Sequence, residues 1–204
     1  MNSMRSSGIR NQTPDPPTRS GHGAGDSSPT VELPATQRSY ERHYAESVTV
    51  DASAEGVFSF ADDFTQLSSH MSQSSGMMMG GRMQISFDDG RGQTVGSHVR
   101  MTGRMMGVEL FLEEVVTERA PPRHKAWEIV GNPALLVIGN YRLGFDIASK
   151  GPSSDLRIFI DYDLPSSPAL RWLGILLGPI YAKWCVRQMA KSARLRFFGQ
   201  PSNR

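Results

Sequence analysis

The chain has 204 residues, 38% of them hydrophobic, with 22 basic against 20 acidic side chains and a formal net charge of +2. That length suits one sizeable core plus a tail, and the near-balanced charge lacks the basic excess expected of a nucleic-acid binder. The single cysteine, Cys185, excludes an intramolecular disulfide and a cysteine-based zinc site, and suits a reducing, cytoplasmic setting.

Residues 1–41 carry five prolines, many Ser, Gly and Arg, and no aromatic before Tyr40. Such a segment buries too little apolar surface to offset ordering entropy, and a disordered polar tail is expected. Arg5, Arg10 and Arg19 hint at a transit peptide, but Asp15, Asp26 and the prolines oppose an amphipathic helix. The start has no apolar core of about 7–15 residues, as a secretory signal requires, and no run reaches the roughly 18 apolar residues of a membrane span.

From His43 the alternation of Val48 and Val50 with polar neighbours predicts a half-buried first strand. Ser53 can cap a helix with Glu55 in its first turn, and Val57, Phe60, Ala61, Phe64 and Leu67 follow at helical spacing. A second short helix is expected around Gln66–Met71. After the "SQSSGMMMGG" stretch, six more strands are predicted: Arg82–Phe87, Thr94–Thr102, Val108–Glu118, His124–Val130, Leu136–Ala148 and Asp155–Leu164. Their short, turn-rich connections imply an antiparallel meander, because parallel neighbours need crossovers of a dozen or more residues.

Pro168–Phe198 is expected to be one long helix, with residues 199–204 a flexible end. In its second half Ala182, Cys185, Val186, Met189, Ala193 and Phe197 share one arc, opposite Lys183, Arg187, Lys191 and Arg194. The first half is apolar nearly all round apart from Arg171, and Pro179 is placed to kink it.

This order, with "ESVTVDASAEGVFSFADDFTQLSSHM" near the start and "GNYRLGFDI" then "LGPIYAKWCVRQMAKSARLRF" near the end, resembles the START-like (SRPBCC) superfamily. The similarity runs over residues 42–198 and points to its polyketide cyclase/dehydratase-like bacterial branch. The resemblance implies an α+β helix-grip fold of the Bet v 1 kind, with a seven-stranded curved antiparallel sheet around a long C-terminal helix. It also implies a deep cavity for lipids, polyketides or aromatic compounds.

Strand parity gives the inward set: Met101, Leu110, Leu112, Trp127, Ile129, Tyr141, Leu143, Phe145, Ile158, Ile160 and Tyr162. Each either fills an ordinary core or lines a void. Of these, Met101, Leu112, Trp127, Tyr141, Phe145, Ile158, Ile160 and Tyr162, with Met189 from the helix, are the candidate ligand-binding residues. Tyr141 and Tyr162 could offer hydroxyls to a ligand or bond a neighbouring carbonyl. The same parity places Glu114 inside, where desolvation would raise its pKa and suit acid–base work, unless a β-bulge turns it outward. Glu114, Tyr141 and Tyr162 are therefore the candidate catalytic groups.

Eight of the 11 methionines (Met71, Met77, Met78, Met79, Met83, Met101, Met105 and Met106) fall in one segment, as a yielding cavity mouth or as core filler. His70 could act as a base near an entrance, while His98 shares parity with Arg100 on a solvated face. No hydrolase, P-loop, dinucleotide or metal-ligand motif occurs, so no cofactor and no metal are expected. The apolar stretch Trp172–Tyr181, followed by basic residues, also fits a membrane-surface helix. Three functions follow: binding of a hydrophobic small molecule, cyclase or dehydratase chemistry in the same cavity, or lipid carriage at a membrane.

Overall fold

The computed structural model describes residues 38–67, 82–105, 108–131 and 135–198. The tail expected over residues 1–41 lies outside them except for 38–41, and so do residues 199–204. Arg38 reaches Asp163 at 2.8 Å, and Arg171 reaches Glu41 at 2.8 Å.

Seven antiparallel strands form one curved sheet. They are β1 (Arg42–Val50), β2 (Arg82–Phe87), β3 (His98–Met105), β4 (Val108–Ala120), β5 (His124–Val130), β6 (Tyr141–Lys150) and β7 (Ser153–Tyr162). Their order is β1-β7-β6-β5-β4-β3-β2, so β2 to β7 run as the expected meander and β1 returns to pair with β7. Helices α1 (Ala54–Asp62) and α2 (Phe64–Leu67) follow β1, and the long α3 (Pro168–Phe197) follows β7.

Two predicted strand starts are corrected. Thr94–Ser97 is a loop, because the Asp88 carboxylate accepts from Gly90 N at 3.0 Å, Ser97 Oγ at 2.5 Å and His98 N at 2.6 Å, closing the turn before β3 begins. Leu136–Asn140 is likewise outside β6: Gly139 N donates to Asp163 O, and Asp163 N to Asn140 O, tying this segment to the exit of β7. A Cβ at Gly139 would sit 2.8 Å from Leu164 O, so glycine permits that approach. The second helix spans Phe64–Leu67 among the described residues, with Asp63 accepting from Thr65 N and Oγ1, and residues 68–71 of the expected Gln66–Met71 lie outside them.

α1 starts where Ser53 Oγ accepts from Gly56 N, and its Val57, Phe58, Phe60 and Ala61 are buried. Phe58 meets Phe145 of β6 edge-on at 5.6 Å, and Phe64 meets Trp127 of β5 at 4.9 Å. Burying each such ring stabilises the fold by roughly 1.5–3 kcal/mol. α3 packs on β1 and β7 through Ala182, Cys185, Val186, Met189 and Ala193. On the outer face of the sheet Phe159 is roofed by Arg142, Arg157 and His124, whereas Phe111 of β4 is left exposed.

Candidate functional site: a small cavity around Glu114

The inner faces of the central strands are brought together by register. Met101 pairs with Leu112, Glu114 with Ile129, Val116 with Trp127, Trp127 with Leu143, and Leu143 with Ile160. Glu114 keeps the inward parity of Leu112 and Val116. The sheet does contain a bulge, but it falls between Val116 and Glu118, one inward residue too late to turn Glu114 out. Its effect is felt at Glu118, which joins Arg142 at 2.6 Å and His124 at 3.0 Å instead.

Glu114 is 2% exposed. Its Oε1 accepts a short hydrogen bond from the Tyr141 hydroxyl, while Oε2 is buried with no hydrogen-bond partner among the described residues. Burial pushes the Glu114 carboxyl up to about 7; the Tyr141 hydroxyl, the Trp127 indole and the Lys125 charge only soften that rise. The Tyr141 hydroxyl is itself driven well above its ordinary value, by burial first and then by the neighbouring Glu114. Tyr181 is raised by burial, and the buried Cys185 thiol is pushed up to about 12, so neither ionises near neutrality.

Around these groups lies a cavity of about 30 Å³. Met101, Leu112, Glu114, Trp127, Tyr141, Leu143 and Ile160 come from the sheet, Tyr181, Cys185 and Met189 from α3, and Leu135 and Ile138 from the segment before β6. That space holds a water or two, whereas pockets for drug-sized ligands run to roughly 300–1,000 Å³. The deep cavity implied by the resemblance is thus largely filled, with Phe58 of α1 against Phe145, Phe64 of α2 against Trp127, and α3 closing over β1 and β7.

Of the nine candidate ligand-binding residues, Met101, Leu112, Trp127, Tyr141, Ile160 and Met189 line this cavity. Phe145, Ile158 and Tyr162 do not. Phe145 and Ile158 are fully buried in the core, with Phe145 beneath α1, and Tyr162 packs at α3 beside Gly178. Tyr162 thus does not share the cavity with Glu114. His70, Met71, Met77, Met78, Met79 and Met106 lie outside the described residues, as do the side chains of Met83, Met105 and Leu110. His98 is half-buried on the outer face, 3.1 Å from Glu113.

Three lining residues escape a parity argument. Tyr181 stands one turn before Cys185 on the same helical arc, so extending that arc backward would have found it. Leu135 and Ile138 sit in an irregular segment whose apolar run imitates a strand. A buried cation was also missed: Lys125, 0% exposed, shares inward parity with Trp127 and Ile129. Its Nζ donates to Asp62 Oδ1 at 2.8 Å and Asp62 O at 2.9 Å, and Arg119 adds bonds of 3.2 and 2.8 Å to the same carboxylate. Beside this cluster is an open depression of about 410 Å³ between α1 and the β4–β5 turn, but its charged Asp62 and Arg119 already satisfy each other.

A family profile described as polyketide cyclase / dehydrase and lipid transport matches residues 41–194. The chain belongs to this family.

The fold of this START-like member agrees with solved structures. Truncated norcoclaurine synthase from Thalictrum flavum superposes with a TM-score of 0.56 at 16% identity, covering 82% of this chain and 100% of that one. The ginseng major latex-like protein from Panax ginseng gives 0.54 at 9% identity, with 77% and 97% covered. A Chromobacterium violaceum protein gives 0.53 at 14%, with 78% and 98% covered. These identities establish the helix-grip architecture and nothing about chemistry. No curated protein matches the sequence at a significant level. Among the described residues no group of side chains could hold a metal ion, and no helix is long and apolar enough to cross a membrane.

Proposed function

We propose that this START-like domain binds a hydrophobic small molecule that carries a hydrogen-bonding group, with its apolar body among Met101, Leu112, Trp127, Ile160 and Met189 and its polar end at Glu114. The observation behind this reading is the unpartnered Oε2 of Glu114 in a cavity lined mainly by apolar side chains. A buried polar atom without a partner costs about 1–3 kcal/mol, which a ligand hydroxyl or amine would recover. Apolar burial would supply most of the remaining affinity, at roughly 25 cal/mol per Å² before the costs of association.

The ligand must widen the present cavity. Met101 and Met189 suit that demand, since an unbranched thioether side chain repacks at low cost. Calorimetric titration with pairs of apolar compounds that differ only in one hydroxyl is the direct test. Saturable one-to-one binding is expected, at least tenfold tighter for the hydroxylated member, with the preference reduced in Glu114→Leu. Equal affinity for both members would overturn the role given to Glu114.

A second reading, cyclase- or dehydratase-type catalysis, is favoured by one further observation: a carboxyl held at about 7 can both donate and accept a proton near neutrality. Glu114 would be the acid or base, and Tyr141 would hold it in place. Turnover of a polyketide-like substrate that disappears in Glu114→Gln while binding survives would select this reading over simple binding.

A further inference from the structure

Along α3 the usual rule of apolar side inward is reversed in the first half. Gly174 and Gly178 face the protein, where a Cβ would sit 2.3 Å from Pro165 Cδ and 3.0 Å from Val137 O respectively. Trp172, Leu176 and Ile180 point to solvent instead, 63%, 61% and 53% exposed, with Ile175 beside them. These three recur at four-residue steps, so they form one stripe on a helix of 3.6 residues per turn.

Continued at steps of three and four, the same stripe becomes basic, through exposed Lys183, Arg187, Lys191 and Arg194. Arg187 is engaged with Glu46 at 3.0 Å. The helix contains six basic residues and no acidic one. Two copies meeting along this stripe would bring only positive charge together, which weighs against a second copy of the chain as its partner. A surface that is apolar within and anionic at its boundary matches both halves.

We propose that the outer stripe of α3 docks on an anionic lipid bilayer. Trp172, Leu176 and Ile180 enter the boundary between headgroups and acyl chains, and Lys183, Lys191 and Arg194 lie on the headgroups. An indole at one end and ammonium and guanidinium groups at the other is the pattern of an interfacial helix. The opposite face of the helix lines the Glu114 cavity with Tyr181, Cys185 and Met189, so docking sets that cavity against the membrane.

Flotation of the full chain with vesicles of phosphatidylcholine alone, or mixed with phosphatidylglycerol, tests this at low and high salt. Binding is expected only to the mixed vesicles, and it weakens with salt because exposed charges are screened. Each basic residue near an anionic surface contributes roughly fivefold in partitioning, so Lys183→Glu with Lys191→Glu should lose at least roughly 25-fold. Trp172→Ser with Leu176→Ser should abolish flotation, while circular dichroism of both variants stays that of the wild type. The proposal is overturned if the wild-type chain fails to float at low salt, or if both variants float as it does. It is equally overturned if sedimentation finds a dimer that Leu176→Ser dissociates while vesicles are ignored, since a second copy then covers the stripe.

Discussion

The Tyr141 hydroxyl on β6 donates to Glu114 Oε1 on β4 across the intervening strand β5, so a phenol and a carboxyl two strands apart in order share one hydrogen bond on the inner face of the sheet. The carboxyl titrates at about 7 there against an ordinary 4.5. The folded protein therefore binds more protons than the unfolded chain between those values, and stability falls as pH rises from about 4.5 through about 7. The loss is on the order of 3 kcal/mol at about 1.4 kcal/mol per unit. Glu114→Gln removes this slope. Urea midpoints measured across that window should decline in the wild-type protein relative to the variant, and parallel profiles would refute the buried titration.

Tyr141→Phe acts on the same group from the other side. The phenol stabilises the carboxylate, so deleting it leaves burial less opposed and moves the Glu114 titration upward. The expected result is a higher midpoint for Glu114 by carbonyl infrared spectroscopy or carbon NMR. Stability should drop by about 1–3 kcal/mol above that midpoint, where Oε1 is left unpaired. A downward shift would contradict the geometry.

Much of this arrangement is legible in the sequence, because alternation on β4 carries from Leu112 through Glu114 to Val116 without a break. It stops being legible where a single side chain redirects the backbone. Asp88 collects three donors and delays β3 to His98, a device that propensity at Thr94–Ser97 cannot reveal. Leu136–Asn140 is as apolar as a strand, yet its hydrogen bonds run to Asn140 and Asp163 around the β7 exit rather than along a ladder. The size of the cavity was also out of reach. It depends on how far Phe58 and Phe64 push into the sheet, a tertiary fit that apolar spacing in α1 and α2 leaves open.

The Asp62–Lys125–Arg119 cluster locks the end of α1 onto β4 and β5. Burial raises the Asp62 carboxyl, but hydrogen bonds from Arg119 and Lys125 outweigh it and hold the group below its ordinary value. Burial depresses Lys125 more than Asp62 can restore it. Asp62→Ala leaves the Lys125 ammonium between the Phe64 and Trp127 rings without its counter-charge, held only by the backbone carbonyl at position 62, and should cost about 3–5 kcal/mol. Adding Lys125→Met should recover a large part of that loss. A double-mutant cycle by chemical denaturation measures it, and strictly additive losses would mean that the two groups are not coupled.

Gly174→Ala separates helix propensity from packing. In a helix interior that exchange ordinarily stabilises by about 0.8–1.0 kcal/mol. At Gly174 the new methyl would lie 2.3 Å from Pro165 Cδ, a ring held on rigid backbone and unable to swing away. Overpacking of this kind costs about 1–3 kcal/mol, so the net change should be destabilising, read as a lowered thermal midpoint. Gly178→Ala meets Val137 O at 3.0 Å and should be milder, because the neighbour need give only a few tenths of an ångström. Both positions face Val137 O, and Val137 is next in the chain to Ile138, which Gly178 also meets and which lines the Glu114 cavity. The Gly174 variant should accordingly weaken binding of any ligand found for that cavity, even though Gly174 does not line it. A stabilised Gly174→Ala protein would show that α3 does not sit this close to Pro165.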